Sequence, residues 1–188
     1  MDSAPSNPQP PIQLQGKLLI SDPSLRDGVF NRSVVLLTHH SPDDGAAGMI
    51  INHPTGKVVG DFLKGPEFIG LQNLAVHQGG PVLHDQLTFS SFWWSRKLGL
   101  RWSLRMSAQD AAEHAHKPGR IVRAFLGYSG WSPGQLEDEL GRSAWFPVGP
   151  QPDLLGQEHD LVLWKSLLGG ISPFHSILAE APQDPHLN

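Results

Sequence analysis

The densest run of chemically capable residues lies between positions 127 and 140, where a Gly-Tyr-Ser-Gly-Trp motif leads into a short acidic segment. Ser129 stands where a nucleophilic serine would stand if the motif were a sharp strand-to-helix turn. The nucleophile elbow of hydrolases requires a glycine two residues after that serine, and Trp131 occupies this position instead. The motif therefore favours a packed structural corner, in which the glycines take special backbone conformations and Tyr128 and Trp131 fill the space.

The residues after this motif predict the start of a short helix. Ser132 is the predicted N-cap, Pro133 suits the first helical position, and Gln135 completes a capping box with Ser132. Acidic residues at positions 137 to 139 agree with the helix dipole, and Gly141 is the predicted stop. A strand, a turn and a helix in close succession are also a common setting for binding residues.

Three other short segments carry polar groups at predicted turns. Ser24, Arg26 and Asp27 place three polar functions within four residues, which suits either a structural loop anchor or contact with a partner. Asn52 comes at the end of an apolar run. The Gly79-Gly80-Pro81 segment lacks the lysine and the spacing of phosphate-binding loops, so it predicts a turn with close backbone approach.

The histidines do not form a recognisable metal motif. The chain has ten histidines and no cysteine, so thiolate metal sites and disulfides are both excluded. His114 and His116 are two residues apart on a predicted helix, where their side chains diverge. We therefore expect no metal and no cofactor, and we expect the histidines to be surface residues or hydrogen-bonded structural residues.

A second unusual stretch, from residue 92 to residue 105, alternates aromatic and basic side chains. Its members are Phe92, Trp93, Trp94, Arg96, Lys97, Arg101, Trp102 and Arg105. Single-stranded nucleic acid binders show this pattern, and so do edge strands that are protected by charge. The net charge of −4 favours the edge strand, because sequence-independent nucleic acid binders are usually basic.

The length of 188 residues is typical of one domain. Residues 1–11 contain four prolines and no apolar run, which predicts a disordered arm rather than a signal peptide. We expect a single domain at 12–181 and a flexible tail at 182–188. No run of about 18 apolar residues is present, so we expect no membrane segment and a cytoplasmic location.

The order of apolar segments predicts the fold class. Strands are predicted at 14–20, 32–40, 46–52, 74–78, 87–94, 100–106, 121–126 and 145–148, and helices at 58–64, 107–116, from 132, 159–168 and 174–179. The early strands follow one another and the helices cluster later, without βαβ alternation. This order predicts an α+β fold with a mixed, largely antiparallel sheet.

Several motifs, in this order along the chain, resemble the YqgE/AlgH family. They are residues 16–20, 23–27 with Phe30, 34–37, 48–54, 79–82, 127–131 and 134–137. The resemblance implies a small closed barrel merged with a bifurcated sheet and flanked by helices. It implies no settled biochemical activity, although the AlgH name reflects a proposed role in transcriptional regulation. One departure is His53, because the family usually has arginine at that position.

The function that these observations favour is a cytoplasmic binding or regulatory protein without catalysis, acting on an unknown protein or small-molecule ligand. The candidate binding residues are Ser24, Arg26, Asp27, Asn52, Gly79, Gly80, Tyr128, Trp131 and Gln135. One alternative is an enzyme of unrecognised type for a small anionic substrate, with Asp27 or Glu139 as the base and Arg26 on the anion. A second alternative is nucleic acid binding through Arg96, Lys97, Arg101 and Arg105.

Overall fold

The computed structural model of the chain describes residues 13–25 and 28–181. The strands are β1 Leu18–Ser21, β2 Val34–Ser41, β3 Gly45–Ile50, β4 Pro54–Val58, β5 Ala75–Gln78, β6 Val82–Ser95, β7 Gly99–Met106, β8 Arg120–Trp131 and β9 Trp145–Val148. The α-helices are α1 Val59–Phe62, α2 Ala108–Ala115, α3 Gln135–Gly141, α4 Leu161–Gly169 and α5 Pro173–Glu180. Short 3-10 helices cover Pro66–Leu71 and Pro152–Gly156.

The sheet is mixed and mostly antiparallel, and it branches at β8. One path runs in the order β4-β5-β8-β3-β2-β1-β9, and β6 joins the other edge of β8 and carries β7. Only the β5–β8 pair is parallel among the described strand pairs. These features confirm an α+β fold built on a mixed, largely antiparallel sheet.

The small closed barrel implied by the family resemblance is wrong for this chain. The strand path has two free ends, β4 and β9, and these two strands do not pair with each other. A closed barrel requires its last strand to pair with its first. The sheet instead curls strongly into an open half-barrel, with helices packed against it.

Strands β1 and β2 are buried on both faces. Alternate residues of β2 enter different clusters, since Val34 and Leu36 face the main core while Val35 and Leu37 face a second core. This confirms the two-sided burial that the continuous apolar run at 34–37 predicts.

Helices cover three separate patches of the sheet. Trp164, in α4, is fully buried in the main core, together with Ala179 of α5. Leu136, in α3, packs with Trp131 and Trp145 in the second core. Helix α2 buries Ala111 in a third core.

The structure corrects two local predictions. The motif at 127–131 does not turn, because it continues β8 up to Trp131. Helix α3 begins at Gln135 and not at Pro133, since Gly134 has a φ of 80° and the Gln135 N–H donates to the Ser132 carbonyl. Proline followed by a positive-φ glycine is the pattern of a type II turn. The Ser132 N–H still donates to Gln135 Oε1 at 3.1 Å, so half of the predicted capping box is present.

Other predictions are confirmed. The Ser107 side chain accepts a hydrogen bond from the Asp110 N–H at 3.0 Å and caps α2. Strand β7 pairs with β6 and with no other described strand, so it is an edge strand. No helix within 13–25 or 28–181 is long and apolar enough to cross a bilayer. The predicted arm at 1–11 and tail at 182–188 lie outside the described residues.

Close backbone contact fixes the branch point. Gly127 has a φ of +67°, and a Cβ atom there would lie 2.6 Å from the carbonyl oxygens of Gly80 and Val82. Cβ atoms on Gly79 and Gly80 would in turn overlap the backbone of residues 127 and 128. The glycine pair therefore confirms the predicted close approach, and it allows the segment after β5 to cross β8.

We predict that Gly127→Ala lowers the free energy of unfolding by about 2–5 kcal/mol. The added Cβ overlaps two carbonyl oxygens, and the residue keeps a left-handed conformation that costs alanine about 1 kcal/mol. Urea unfolding followed by circular dichroism would measure this change. Gly141→Ala is the matched control, because a Cβ there meets nothing within 4 Å and the glycine is helical. Equal stability of the two variants would contradict the prediction.

Candidate functional site

A cleft lies where the chain passes from β3 to β4 and meets the start of α4. Its volume is about 450 Å³. The lining residues are Asn31, Arg32, Asn52, His53, Pro54, Asp160 and Leu161. Most of the lining residues come from the segments that connect strands and not from a strand. Where the backbone N–H and C=O groups of these segments have no partner in the sheet, side chains must supply their hydrogen bonds.

Asn52 supplies those partners. It is 2% exposed. Its Oδ1 accepts from the Val34 N–H at 2.7 Å, and its Nδ2 donates to the carbonyls of Arg32 at 2.9 Å and Asp160 at 3.2 Å. Asn52 therefore joins three segments of the chain, and its amide is fully used in holding the cleft walls together.

Arg32 is held in an unusual backbone conformation at the edge of the cleft. Its φ is 51°, a left-handed value that is uncommon for a residue other than glycine. Its guanidinium carbon lies 5.3 Å from the ring centroid of Trp164, and its Nη2 donates to the Ala181 carbonyl at 2.9 Å. Strained backbone of this kind is frequent at functional sites. Here it places a cation at the cleft and joins the cleft to the end of α5.

A group of buried and half-buried cationic and imidazole side chains lies next to the cleft. His77, in β5, is paired in the sheet with Pro54, which lines the cleft. The Arg123 Nη1 donates to His77 Nε2 at 2.9 Å, and His159 Nε2 donates to the Leu154 carbonyl at 2.8 Å. His77 is 4% exposed and His159 is 8% exposed. We call His53, His77, Arg123 and His159 the imidazole–arginine cluster.

Burial and the charge of Arg123 keep the imidazoles of His77 and His159 neutral. Burial lowers the pKa of His77 to about 4, and the charges of Arg123, His159 and His53 contribute to that shift. Burial followed by the Arg123 charge lowers the pKa of His159 to about 4 as well. Burial also lowers the pKa of His53. The pKa of Arg123 falls to about 10 through burial, so its guanidinium remains charged at neutral pH.

The positive charge of Arg123 has no carboxylate partner within the described part of the chain. Its Nη1 meets a neutral imidazole, and its buried Nε has no hydrogen-bond partner there. Asp160 is close enough to raise the pKa of His159, but its Oδ1 accepts from the Val162 N–H and caps α4. No group of three metal-ligating side chains occurs among the described residues. The arrangement is therefore suited to holding an anion.

The structure places the predicted site residues in several separate regions. Asn52 lies at the cleft. Gly79 and Gly80 lie at the β8 crossing next to Tyr128, whose ring faces the Arg105 guanidinium at 5.8 Å. Ser24 is exposed and donates to Asp22. Arg26 and Asp27 lie outside the described residues. The binding roles predicted for these residues stay predictions.

Trp131 and Gln135 belong to a hydrogen-bond network around Glu139. The Oε2 atom of Glu139 accepts from the indole N–H of Trp131 at 2.8 Å and from that of Trp145 at 2.7 Å. Its Oε1 accepts from Gln135 Nε2 at 3.0 Å. The carboxylate therefore holds α3 against the second core, and it does not line the cleft.

Sequence reasoning missed most of the residues at the cleft. Arg32 and Asp160 line the cleft, and His77, Arg123 and His159 belong to the neighbouring cluster. These five residues come from four separate segments of the chain, and none has a local motif. One signal was available, because Arg123 lies inside the apolar run 121–126, which was predicted to be a strand. Arginine is rarely buried without a partner, so a cation within an apolar run indicates a position where a partner is needed.

We predict that Glu139→Ala lowers the free energy of unfolding by roughly 2–4 kcal/mol, because the indole N–H groups of two buried tryptophans lose their acceptor. Glu139→Gln retains an acceptor oxygen, so we expect a loss of about 1 kcal/mol. Chemical denaturation followed by tryptophan fluorescence would measure both changes. Asp138→Ala, on the exposed side of the same helix, is the control and should change stability by less than about 0.5 kcal/mol. Equal losses for Asp138→Ala and Glu139→Ala would contradict the network.

We predict that the protein loses stability as pH falls from 6.5 to 4. The unfolded chain binds protons at His77 and His159 in this range, whereas the folded chain does not, since both folded pKa values are about 4. Each histidine contributes a slope of up to about 1.4 kcal/mol per pH unit. Urea midpoints at pH 7, 6 and 5 would measure this slope.

The variants His77→Gln and His159→Gln should each flatten that slope, because a glutamine cannot titrate. Glutamine can still accept from Arg123 or donate to the Leu154 carbonyl, so both variants are conservative. His84→Gln, at an exposed position of β6, should leave the slope unchanged. Parallel pH profiles for the wild type and both buried-site variants would contradict the prediction.

Proteins with similar sequences support a family assignment. The chain is 34% identical over 187 residues to a UPF0301 protein from Streptomyces avermitilis, covering 93% of this chain and 95% of the relative. It is 32% identical over 181 residues to a UPF0301 protein from Bacteroides thetaiotaomicron, covering 93% of this chain and 91% of that relative.

Solved structures show the same fold. The solution structure of the AlgH protein from Pseudomonas aeruginosa matches with a TM-score of 0.65 and 25% identity, covering 94% of this chain and 98% of that one. The crystal structure of protein DIP2367 from Corynebacterium diphtheriae matches with a TM-score of 0.67 and 21% identity, covering 90% and 93% of the two chains. The AlgH-like family model matches residues 18–173. The chain therefore belongs to the AlgH-like family.

Proposed function

We propose that this protein is a non-catalytic binding protein, and that its ligand carries a small oxyanion group, such as a carboxylate or a phosphate, which binds in the cleft at the β3–β4 connection. One observation carries the proposal: the guanidinium of Arg123 is largely buried next to the cleft with a neutral imidazole as its partner. No carboxylate pairs with it in the described part of the chain.

A buried charge without a counter-charge is costly. The effective penalty in proteins is several kcal/mol per ion, and it is offset when an opposite charge comes close. Within the imidazole–arginine cluster, His77 and His159 have pKa values of about 4 and remain neutral at physiological pH. His77 accepts a hydrogen bond from the guanidinium of Arg123 without cancelling its charge. A bound oxyanion would supply the missing negative charge.

The cleft itself supports an oxyanion ligand. Arg32 and His53 line it, and an arginine fork matches the geometry of carboxylates and phosphates. Its volume of about 450 Å³ lies within the usual range of small-molecule sites, which is about 300–1,000 Å³. The charge of His53 also contributes to the lowered pKa of His77. A ligand bound beside His53 would therefore interact electrostatically with the buried His77 and its partner Arg123.

Binding is favoured over catalysis by the positions of the acidic residues. Glu139, the described candidate for a base, uses both carboxylate oxygens in structural hydrogen bonds. Asp160 lines the cleft but caps α4. The alternative of an enzyme for a small anionic substrate therefore gains no acid or base from these groups. The cytoplasmic location expected from composition stays a prediction.

A regulatory role would follow from the contacts of Arg32. Its guanidinium donates to the Ala181 carbonyl and lies over Trp164 of α4. An oxyanion that recruits this guanidinium would compete with the Ala181 carbonyl, because a charged acceptor binds arginine more strongly than a neutral one. Occupancy of the cleft would thus be transmitted to the end of α5.

We predict that sulfate, used as a probe with constant charge, binds in the cleft and raises the melting temperature, with a stabilisation that grows as the logarithm of its concentration above the Kd. Arg123→Met should weaken sulfate binding by about tenfold or more, since it removes the buried charge while leaving an apolar side chain of similar length. His53→Arg should strengthen binding by about tenfold, because it adds a permanent cation at the cleft. Calorimetric titration would give the affinities.

Arg142→Gln is the control, since it removes one positive charge from an exposed position at the end of α3. It should change sulfate affinity by less than about twofold. Amide shifts in a nuclear magnetic resonance titration should concentrate at residues 31–32, 52–54 and 160–161. Unchanged affinity in both cleft variants, or shifts confined to other surfaces, would refute the proposal.

A further inference from the structure

A second concave surface lies beside the β6–β7 hairpin and shares no lining residue with the cleft. It is an open groove of about 590 Å³. The lining residues are Gln13, Gln15, Gly16, Lys17, Trp94, Leu98, Gly99, Leu100, Arg101, Trp102, Gly149 and Pro150. Arg101 is paired with Trp93, so the register turns its side chain to the other face of the hairpin. The groove therefore combines two aromatic side chains with the ammonium group of Lys17.

The sheet register places both indoles on the same face. Trp94 is paired with Leu100, and Trp102 is paired with Phe92, so the two indoles alternate with two buried residues of the main core. Both indoles are half-buried and pack against that core. The two indoles extend the apolar surface of the main core outward, and this extension forms part of the groove wall.

Glycines keep the aromatic surfaces open. A Cβ atom on Gly16 would lie 3.6 Å from the Trp102 ring, and one on Gly99 would lie 3.8 Å from the Trp94 ring. A larger side chain at either position would cover part of the indole beside it. The glycines leave that space available to a ligand.

The charge of the groove is entirely positive. Lys17 Nζ lies 3.9 Å from the position of a Cβ on Gly149, so the ammonium stands at the groove wall. Lys17 is exposed, and it forms no ion pair with a described carboxylate. None of the lining residues is acidic, although the whole chain carries a net charge of −4. The groove is therefore a local exception to the charge of the protein.

We propose that this groove binds a nucleotide unit, with the base stacked on an indole of Trp94 or Trp102 and the phosphate held by Lys17. Stacking on aromatic side chains together with phosphate contacts is how proteins hold single nucleotides without base selection. A simple anion would gain nothing from the indoles, and an uncharged apolar ligand would gain nothing from the ammonium group. The unit comes from a free nucleotide or from a single strand.

Protection of an edge strand explains only part of this arrangement. Arg96 and Lys97 are exposed at the tip of the hairpin, outside the groove lining, as expected for charges that prevent edge-to-edge pairing. Lys17 is not on the β6–β7 hairpin at all. It comes from the segment before β1, so the position of its ammonium group at the groove is not a property of the edge strand.

Calorimetric titration tests the proposal with four probes: AMP, adenosine, ribose 5-phosphate and a single-stranded deoxyadenosine tetranucleotide. We predict that AMP binds at least about tenfold more tightly than adenosine or ribose 5-phosphate, because only AMP uses both stacking and charge. The indole N–H resonances of Trp94 and Trp102 should shift on binding. The tetranucleotide distinguishes a free nucleotide from a single strand. If it binds more than about tenfold more tightly than AMP, and this difference in affinity disappears as the salt concentration rises, the natural ligand is a single strand.

Variants test the assigned residues. Lys17→Gln should weaken AMP binding by at least about tenfold. The matched control is Lys97→Gln, which removes the same charge at the hairpin tip and should change affinity by less than about twofold. Trp102→Leu should weaken adenosine and AMP binding equally, and a thermal melt would confirm that it folds. No AMP binding at millimolar concentration, equal binding of ribose 5-phosphate, or equal losses in the two lysine variants would overturn the proposal.

Discussion

The backbone crossing at Gly79, Gly80 and Gly127 is the constraint on which the rest of the fold depends. The chain leaving β5 passes so close to β8 that side chains are excluded from both segments. Because β8 pairs with β5 along residues 124–126 and with β3 along residues 129–131, these two neighbours diverge from the same edge of one strand. The sheet consequently forks, and the chain between β3 and β4 must cross the gap between the two branches.

The candidate site follows from this fork. The segment that crosses the gap between the branches contains Asn52 and His53. The backbone of this segment cannot pair with the strands of both branches at once. Asn52 replaces the missing ladder contacts by hydrogen bonding to the segment at residues 32–34 and to Asp160. His77 and Arg123 come from β5 and β8, the strands next to the gap. Polar side chains therefore fill the position where the sheet cannot supply its own hydrogen bonds, and a ligand-sized cleft remains above them.

Features encoded by neighbouring residues could be predicted from the sequence. The two-sided burial of residues 34–37 and the Ser107 cap of α2 are such features. Features that depend on distant residues could not. The strand through Gly127–Trp131 looks like a turn locally, and only its pairing with β3 and β6 keeps it extended. The imidazole–arginine cluster joins positions 53, 77, 123 and 159, so no local pattern could have revealed it.

The choice of imidazole and not carboxylate as the partner of Arg123 has a physical consequence. A buried carboxylate would neutralise the guanidinium permanently, and the cleft would then present no net charge to a ligand. A neutral imidazole accepts one hydrogen bond from Arg123 and leaves the charge in place. Protonation of His77 would remove that acceptor and add a second cation. The low pKa of His77, about 4, thus keeps the acceptor intact over the physiological range and leaves the positive charge of Arg123 available to the cleft.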